Sequence, residues 1–329
     1  MAELLIIDAG YSKIKSIDKH KKIKTLHNAH MPSTEGERKI PLNDSTKKVS
    51  LYHKHKDLLT TRLYGEIPCQ MSNHIQGISG RKIDEIRFNV AAMLTENYHL
   101  KEINLVCIYN EEAEFLNLET SLLGEYKVIV NGTMIQCKIV SVKCLLEGVG
   151  TYFSLKDATY INPKKMRILD LGLGVANDLI VDKNGEIEYY STEPSLSIFN
   201  LASIIEKSSL FQDRISKTSK TRSNYASIAY ALEKDSVPGN LSLSEWDLIK
   251  NYGLETYFKT LRSHLMAPAG NSSDFVTCFV LTGGGAALLK RESALFETIF
   301  TIPQEPEIAS LQGILRHPYV QKLTEKGGW

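Results

Sequence analysis

Apolar residues along this chain fall into short continuous runs and into helically spaced ones, and the two kinds alternate. Leu4-Leu5-Ile6-Ile7 ends in Asp8-Ala9-Gly10, and Met166-Arg167-Ile168-Leu169 ends in Asp170-Leu171-Gly172-Leu173-Gly174. Short runs bounded by turn residues read as buried strands. Both close alike, with an acid where the strand ends and a glycine within two residues. Ile103–Tyr109 and Ile139–Val142 are also β-rich. Val276–Leu281 is nearly continuous apolar, which suits the middle of a sheet covered on both faces.

Helical spacing is predicted over Lys82–Asn97, Pro194–Lys207 with Ser195 as its cap, Ser244–Tyr252, Glu255–Leu265 and Glu307–Leu323. The count is mixed α/β. The stretch from His20 to Asp57, rich in Lys and His with weak periodicity, reads as mobile loop or the surface of a small subdomain. Each acid–glycine segment opens about half of the chain, so two domains built from related strand–turn–strand units are expected. Their linker falls near Asn162-Pro163-Lys164-Lys165. The expected division is 1–162, including a small flexible subdomain, then 163–308, then a C-terminal helix over 309–329 that returns to the first domain.

Length and charge narrow the function. At 329 residues and 43% hydrophobic the chain can bury two cores. Lys and Arg number 39 against 38 Asp and Glu, a net charge of +1, which supplies no global field for nucleic acid or an anionic membrane. Five scattered cysteines show no zinc-ligand spacing and no disulfide framework. The apolar run at Leu4–Ile7 is too short for a signal-peptide core, and the longest uncharged stretch, Phe275–Leu289, contains three glycines and falls short of a membrane span. A soluble, cytoplasmic protein of a reducing compartment is expected.

Three segments carry candidate chemistry. In Asp8-Ala9-Gly10-Tyr11-Ser12-Lys13-Ile14-Lys15, Gly10 permits a tight turn whose amides can point at phosphate oxygens. Ser12 adds a hydroxyl donor, Lys15 a point charge, and Asp8 a carboxylate for a magnesium ion through its water shell. An ordinary glycine turn between strands has the same letters. Asp170–Val175 repeats the arrangement with Gly172 and Gly174. Gly283, Gly284 and Gly285 follow a strong strand and allow close backbone approach to something flat, such as a purine or ribose.

In this order and spacing the three segments resemble the two phosphate loops and the adenosine loop of the actin/Hsp70/sugar-kinase superfamily. Finer features resemble prokaryotic actin-like proteins of the ParM type. Arg62-Leu63-Tyr64-Gly65-Glu66 is similar to the turn after the flexible subdomain of actins. Leu146-Glu147-Gly148-Val149-Gly150 is similar to the first connecting segment, and Ile308–Gly313 to the second connecting helix, a hinge ending at glycine.

The resemblance implies an α/β, duplicated ribonuclease H-like, actin-like fold with two domains around a nucleotide cleft. It implies ATP or GTP with Mg2+ as cofactor, with Asp8 and Asp170 holding the metal through waters. Gly10, Ser12, Lys15, Gly172 and Gly174 would clamp phosphates, and Gly283–Gly285 would face the base and sugar. Glu147 would position the attacking water. Where actins carry an acid between the glycines of the second hairpin, this chain has Leu173, which puts the metal's outer shell in doubt. Asp178 is a possible substitute or a surface residue. The basic stretch Lys217–Arg222 could touch nucleotide or a neighbour, or be a solvated loop.

The function implied is a filament-forming ATPase that self-assembles, serves plasmid or DNA segregation through a DNA-binding adaptor, and makes no direct DNA or membrane contact. A small-molecule kinase and a slowly hydrolysing nucleotide-binding scaffold are the alternatives.

Overall fold

The computed structural model describes residues 2–10, 12–32, 42–52, 58–65, 75–76, 82–156, 165–218, 225–239, 241–267, 269 and 276–325. They form two compact units, Met1–Glu147 with Ile314–Trp329, and Gly148–Gly313. The expected linker at 162–164 lies outside the described residues.

The first unit is built on a ten-stranded sheet. Strands β1 (Glu3–Ala9), β2 (Lys13–Asp18) and β3 (Ile23–His27) make an antiparallel meander. The unit also holds β4 (Ala29–Pro32), β5 (Thr46–Tyr52), β6 (Leu58–Gly65), β7 (Ile75–Gln76), β8 (Glu102–Tyr109), β9 (Gly124–Val130) and β10 (Thr133–Leu146), and the sheet runs β3-β2-β1-β8-β10-β9-β5-β6-β4-β7. Strand β8 is parallel to both β1 and β10. Alternation assigns the faces. Leu5, Ile7 and Ala9 join Ile103, Leu105 and Cys107 in one core, with Ile86, Val90 and Ala91 from helix α1 (Lys82–Met93) and Leu118 from α2 (Phe115–Leu122). Asp8 lies on the opposite face.

Of residues 20–57, read from the sequence as loop or subdomain surface, 33–41 and 53–57 lie outside the described residues and the rest supply β3, β4 and β5. The reason is visible in β5. Lys47, Val49 and Leu51 all face the core, so a lysine occupies a position that the pattern reads as polar.

The second unit holds a four-stranded sheet of β11 (Lys165–Leu171), β12 (Ala176–Asp182), β13 (Ile187–Glu193) and β14 (Val276–Thr282), in the order β13-β12-β11-β14. The meander β11-β12-β13 with the parallel partner β14 repeats β1-β2-β3 with β8. Strand β14, expected in mid-sheet, is instead one of the two outer strands. Its free side is shielded by an isolated bridge from Val280 to Thr301, whose carbonyl accepts from Leu281 N–H at 3.1 Å.

Helices of the second unit are α3 (Val149–Leu155), α4 (Ile198–Lys207), α5 (Ser209–Thr218), α6 (Tyr225–Lys234), α7 (Leu243–Met266) and α8 (Gly283–Glu292), followed by α9 (Pro306–Ile314). Leu169, Leu171 and Ala176 pack against Leu201 and Ile205 of α4, Tyr257 and Leu261 of α7, and Leu289 of α8. The two helices expected over 244–265 are one. A Cβ at Gly253 would stand 2.3 Å from Ile205 Cγ1, so this glycine serves helix–helix approach and does not break α7. Ser242, not Ser244, starts that helix through a capping box with Glu245. Ser197, not Ser195, caps α4, because Pro194–Leu196 forms a single 3-10 turn. The helix expected over 307–323 breaks into α9 and α10 (Pro318–Glu325), since Pro318 has no N–H to continue the ladder. Of Lys82–Asn97 the α-helix runs only to Met93, and Glu96–Tyr98 forms a separate 3-10 turn.

Candidate functional site

In the first unit the hairpin β1–β2 gathers four of the expected residues. Asp8 and Lys15 are directly opposite in register, and Lys15 Nζ lies 3.3 Å from Asp8 Oδ2. The last paired residues are Ala9 and Ile14, so Gly10 and Ser12 sit in the loop. A Cβ at Gly10 would lie 2.8 Å from the Lys13 carbonyl oxygen, so only glycine fits. Glu147 lies one residue past β10, and its N–H donates to the Tyr109 carbonyl at 3.1 Å. Asp8, Ile108 and Leu145 align across β1, β8 and β10. Two strand spacings and two residue rises then separate Glu147 from Asp8 by roughly 12 Å between Cα atoms.

In the second unit the corresponding acid, Asp170, lies at the penultimate position of β11, opposite Asn177 on β12 and Thr282 on β14. Gly172 N–H donates to the Val175 carbonyl at 2.9 Å and closes the turn, where a Cβ on Gly172 would meet that oxygen at 2.5 Å. The carbonyls of Gly172 and Leu173 accept from Ile198 N–H at 3.2 Å and Phe199 N–H at 2.9 Å. The hairpin thus ties down the start of α4. The Leu173 side chain packs against the apolar core of the unit, which accounts for a leucine where the resemblance expects an acid.

Gly283–Gly285, expected as a turn, are the first three residues of α8. Gly283 has φ +85°, and a Cβ there would stand 2.3 Å from Asp170 Oδ1 and 2.7 Å from the Leu171 carbonyl oxygen. Gly285 is held by packing, 2.8 Å from Leu171 Cβ by the same construction. Only Gly284 opens on space, with nothing within 4 Å. The helix therefore starts close against a carboxylate, and two of its three glycines are required by the protein's own packing.

Sequence reasoning passed over two buried hydroxyls, one of them on Thr282 opposite this acid in register. Thr151 Oγ1 donates to Thr282 Oγ1 at 3.1 Å, which donates to the Pro306 carbonyl at 3.0 Å, both side chains fully buried. This chain joins the starts of α3, α8 and α9. Thr282 is the residue before α8 yet makes no side-chain cap bond to it. Only the position of Thr282 between a strand and a glycine run hinted at such a role. Gly148 also adjoins the acid: at φ +85°, a Cβ there would meet Leu179 Cδ2 at 2.6 Å and Asp170 Cβ at 3.6 Å. Within the same unit, a Cβ on Gly313 would stand 1.7 Å from the Gly150 carbonyl oxygen.

Asp178 is neither a surface residue nor on the face of Asp170. It pairs in register with Leu169, which puts it on the helix-covered face with Arg167. Asp178 is 0% and Arg167 2% exposed. Arg167 Nε donates to Asp178 Oδ1 at 3.0 Å and Nη2 to Oδ2 at 2.6 Å, and His264 Nε2 lies 2.8 Å from Oδ2. Arg167 Nη1 also donates to the Leu265 and Ala267 carbonyls at the end of α7. Burial by itself would raise the Asp178 carboxyl, but the hydrogen bonds of His264 and Arg167 with their charges hold it below the usual carboxylate range. Its oxygens are committed to this pair.

Of the basic stretch 217–222, residues 219–222 lie outside the described residues, as does Glu66 of the 62–66 turn. Among the described residues no three His, Cys, Asp or Glu side chains converge on a metal position, and no helix is long and apolar enough to cross a membrane. Within each unit the acid at the strand end, Asp8 on β1 and Asp170 on β11, offers hard carboxylate oxygens of the kind that suit magnesium.

No family model matches the sequence, and no curated protein does. Solved structures do. A 15-stranded ParM filament from Clostridium botulinum matches at TM-score 0.71 and 14% identity, over 98% of this chain and 99% of that one. An archaeal actin homologue matches at TM-score 0.71 and 16% identity, again over 98% and 99%. Bacillus thuringiensis ParM with ATP matches at TM-score 0.67 and 14% identity over the same shares. The duplicated meander, the paired acid–glycine hairpins and these full-length matches together show that the chain has the actin-like fold, shared with ParM and archaeal actin homologues.

Proposed function

We propose that this chain is an actin-like ATPase that assembles into filaments when it binds ATP with Mg2+. The observation that carries the reading is the repetition, in an actin-like fold, of one hairpin: an acid at the strand end, a glycine that no other residue can replace, and a parallel neighbouring strand. Structural likeness to a ParM filament and to ParM with ATP supports both self-association and nucleotide binding.

Gly10 and Ser12 present amide and hydroxyl donors to phosphate oxygens, and Lys15, released from Asp8, adds its charge. In the second unit Gly174 offers its amide, while Gly172, whose N–H is held by the Val175 carbonyl, shapes the turn. The start of α8 at Gly283–Gly285 takes the sugar and base, with Gly284 the position that offers room. Magnesium, when bound, would offset phosphate charge, and Asp8 and Asp170 are the carboxylates that would hold it. Glu147 accepts a hydrogen bond from the attacking water and aligns it with the terminal phosphate. Loss of that phosphate weakens subunit contacts. Segregation of DNA through a basic adaptor protein is the finer role we assign, since a net charge of +1 gives this chain little attraction of its own for DNA.

Sedimentation with ATP, ADP and a non-hydrolysable analogue tests the proposal. ATP-dependent pelleting with phosphate release is expected. Failure to pellet at any concentration points to a small-molecule kinase. Pelleting without phosphate release points to a nucleotide-binding scaffold, the reading that Leu173 in the apolar core favours.

A further inference from the structure

We propose that Asn28 is the positioning residue of the first hairpin, holding the loop at Gly10 and Ser12 in the orientation that receives phosphate. The inference rests on the reading of that loop as a phosphate site. Asn28 stands between β3 and β4 and is 1% exposed. Its side-chain Nδ2 donates to the Gly10 carbonyl at 2.8 Å, across eighteen positions of sequence. Its backbone N–H donates to the Ser12 carbonyl, also at 2.8 Å. One buried residue thus holds two carbonyls of the loop.

The loop needs an outside restraint. The β1–β2 ladder ends at Ala9 and Ile14, so it does not set the peptide planes beyond them. Gly10 is required because a side chain would collide with the Lys13 carbonyl, and glycine is also the residue with the widest choice of backbone angles. The geometry that makes the turn possible therefore leaves its orientation open. A trans peptide unit is planar, so fixing a carbonyl direction fixes the opposed direction of the N–H in the same plane. Turning the carbonyls of Gly10 and Ser12 onto Asn28 keeps their negative ends off an anion, and in the Ser12–Lys13 peptide unit it sends the Lys13 N–H the other way.

Asparagine suits this task better than its neighbours in size. Aspartate would set a carboxylate oxygen against the Gly10 carbonyl, and alanine would leave that carbonyl buried without its donor. An apolar residue would fill the site without the cost of burying an amide, so the amide is retained for the bond it makes.

The test uses the full chain with Mg2+ and compares affinities for ATP and for adenosine, which lacks phosphate. Asn28→Ala and the near-isosteric Asn28→Asp should each weaken ATP binding by about tenfold or more, the loss expected for one hydrogen bond. Adenosine affinity should stay within about twofold of wild type, because no phosphate is involved. A parallel fall for both ligands would make Asn28 a general structural residue and overturn the proposal, as would unchanged ATP affinity. If Asn28→Ala does not fold, Asn28→Asp supplies the same comparison, and Asn28→Ser removes the donor's reach while keeping a small polar side chain. A wild-type chain that binds adenosine and ATP equally would sink the phosphate reading of the hairpin itself, and this proposal with it.

Discussion

Gly283 lies directly against Asp170, so close that a Cβ at position 283 would stand 2.3 Å from the carboxylate Oδ1. The start of helix α8 and the end of strand β11 therefore share one small volume, and the acid expected to orient a metal's waters forms one wall of the glycine run expected to hold a nucleoside.

Gly283→Ala and Gly284→Ala should part company. The first meets positive φ and two backbone or carboxylate contacts, so a loss of about 1–3 kcal/mol is expected. The second meets open space and should change stability by less than about 0.5 kcal/mol. If Gly284 borders a bound nucleoside, its alanine variant should still lower ATP affinity. Thermal melts beside binding titrations separate the two effects, and a destabilised Gly284→Ala would show that the space is needed by the protein itself.

Asp170→Ala should abolish ATP hydrolysis, and Glu147→Ala should slow phosphate release while leaving nucleotide binding and assembly in place. Long-lived filaments are the expected readout for the second variant, followed by sedimentation after a pulse of ATP. Unchanged turnover in Asp170→Ala removes that acid from the site, and collapse of ATP affinity in Glu147→Ala makes that residue structural.

The Arg167–Asp178 pair predicts sensitivity to acid. Its carboxyl is held below the ordinary value of about 3.9, so across that window the native state binds fewer protons than the unfolded chain. The stabilisation is present above about pH 4 and is lost as the pH falls through the lower native value. Asp178→Asn leaves the Arg167 charge buried without its partner, a cost of roughly 3–5 kcal/mol. A denaturant series at pH 7 and at pH 3 measures both, and an equal loss for wild type and variant on acidification would remove Asp178 as the cause.

Lys47 predicts a gain in stability in alkali. It is 5% exposed, its Nζ donates to the Ala92 carbonyl at 2.9 Å, and burial with repulsion from Lys24 pushes the amine down to about 8. Between that value and the unfolded value near ~10.4, the unfolded chain holds the extra proton, so stability rises with pH over this range. Lys47→Met should abolish the rise and stabilise the protein at neutral pH by up to ~3 kcal/mol, the free energy of such a shift. A flat wild-type profile between pH 8 and pH 10 would contradict the assignment.

What the amino-acid sequence determined alone was the repeat. An apolar run, an acid and a glycine name a strand and the turn that ends it, because those preferences act over a few residues. Asp8, Gly10, Ser12 and Lys15 come together on one hairpin for the same local reason. Tertiary structure decided everything that depends on register or on a distant neighbour. Lys47 faces a core because its strand pairs with two others, and Asp178 turns from Asp170 because adjacent strand residues point to opposite faces. Gly253 continues a helix where Ile205 demands the room, and Asn28 reaches Gly10 only once β3 lies beside β2. Such roles are properties of contacts between segments far apart in sequence, and no local pattern encodes them.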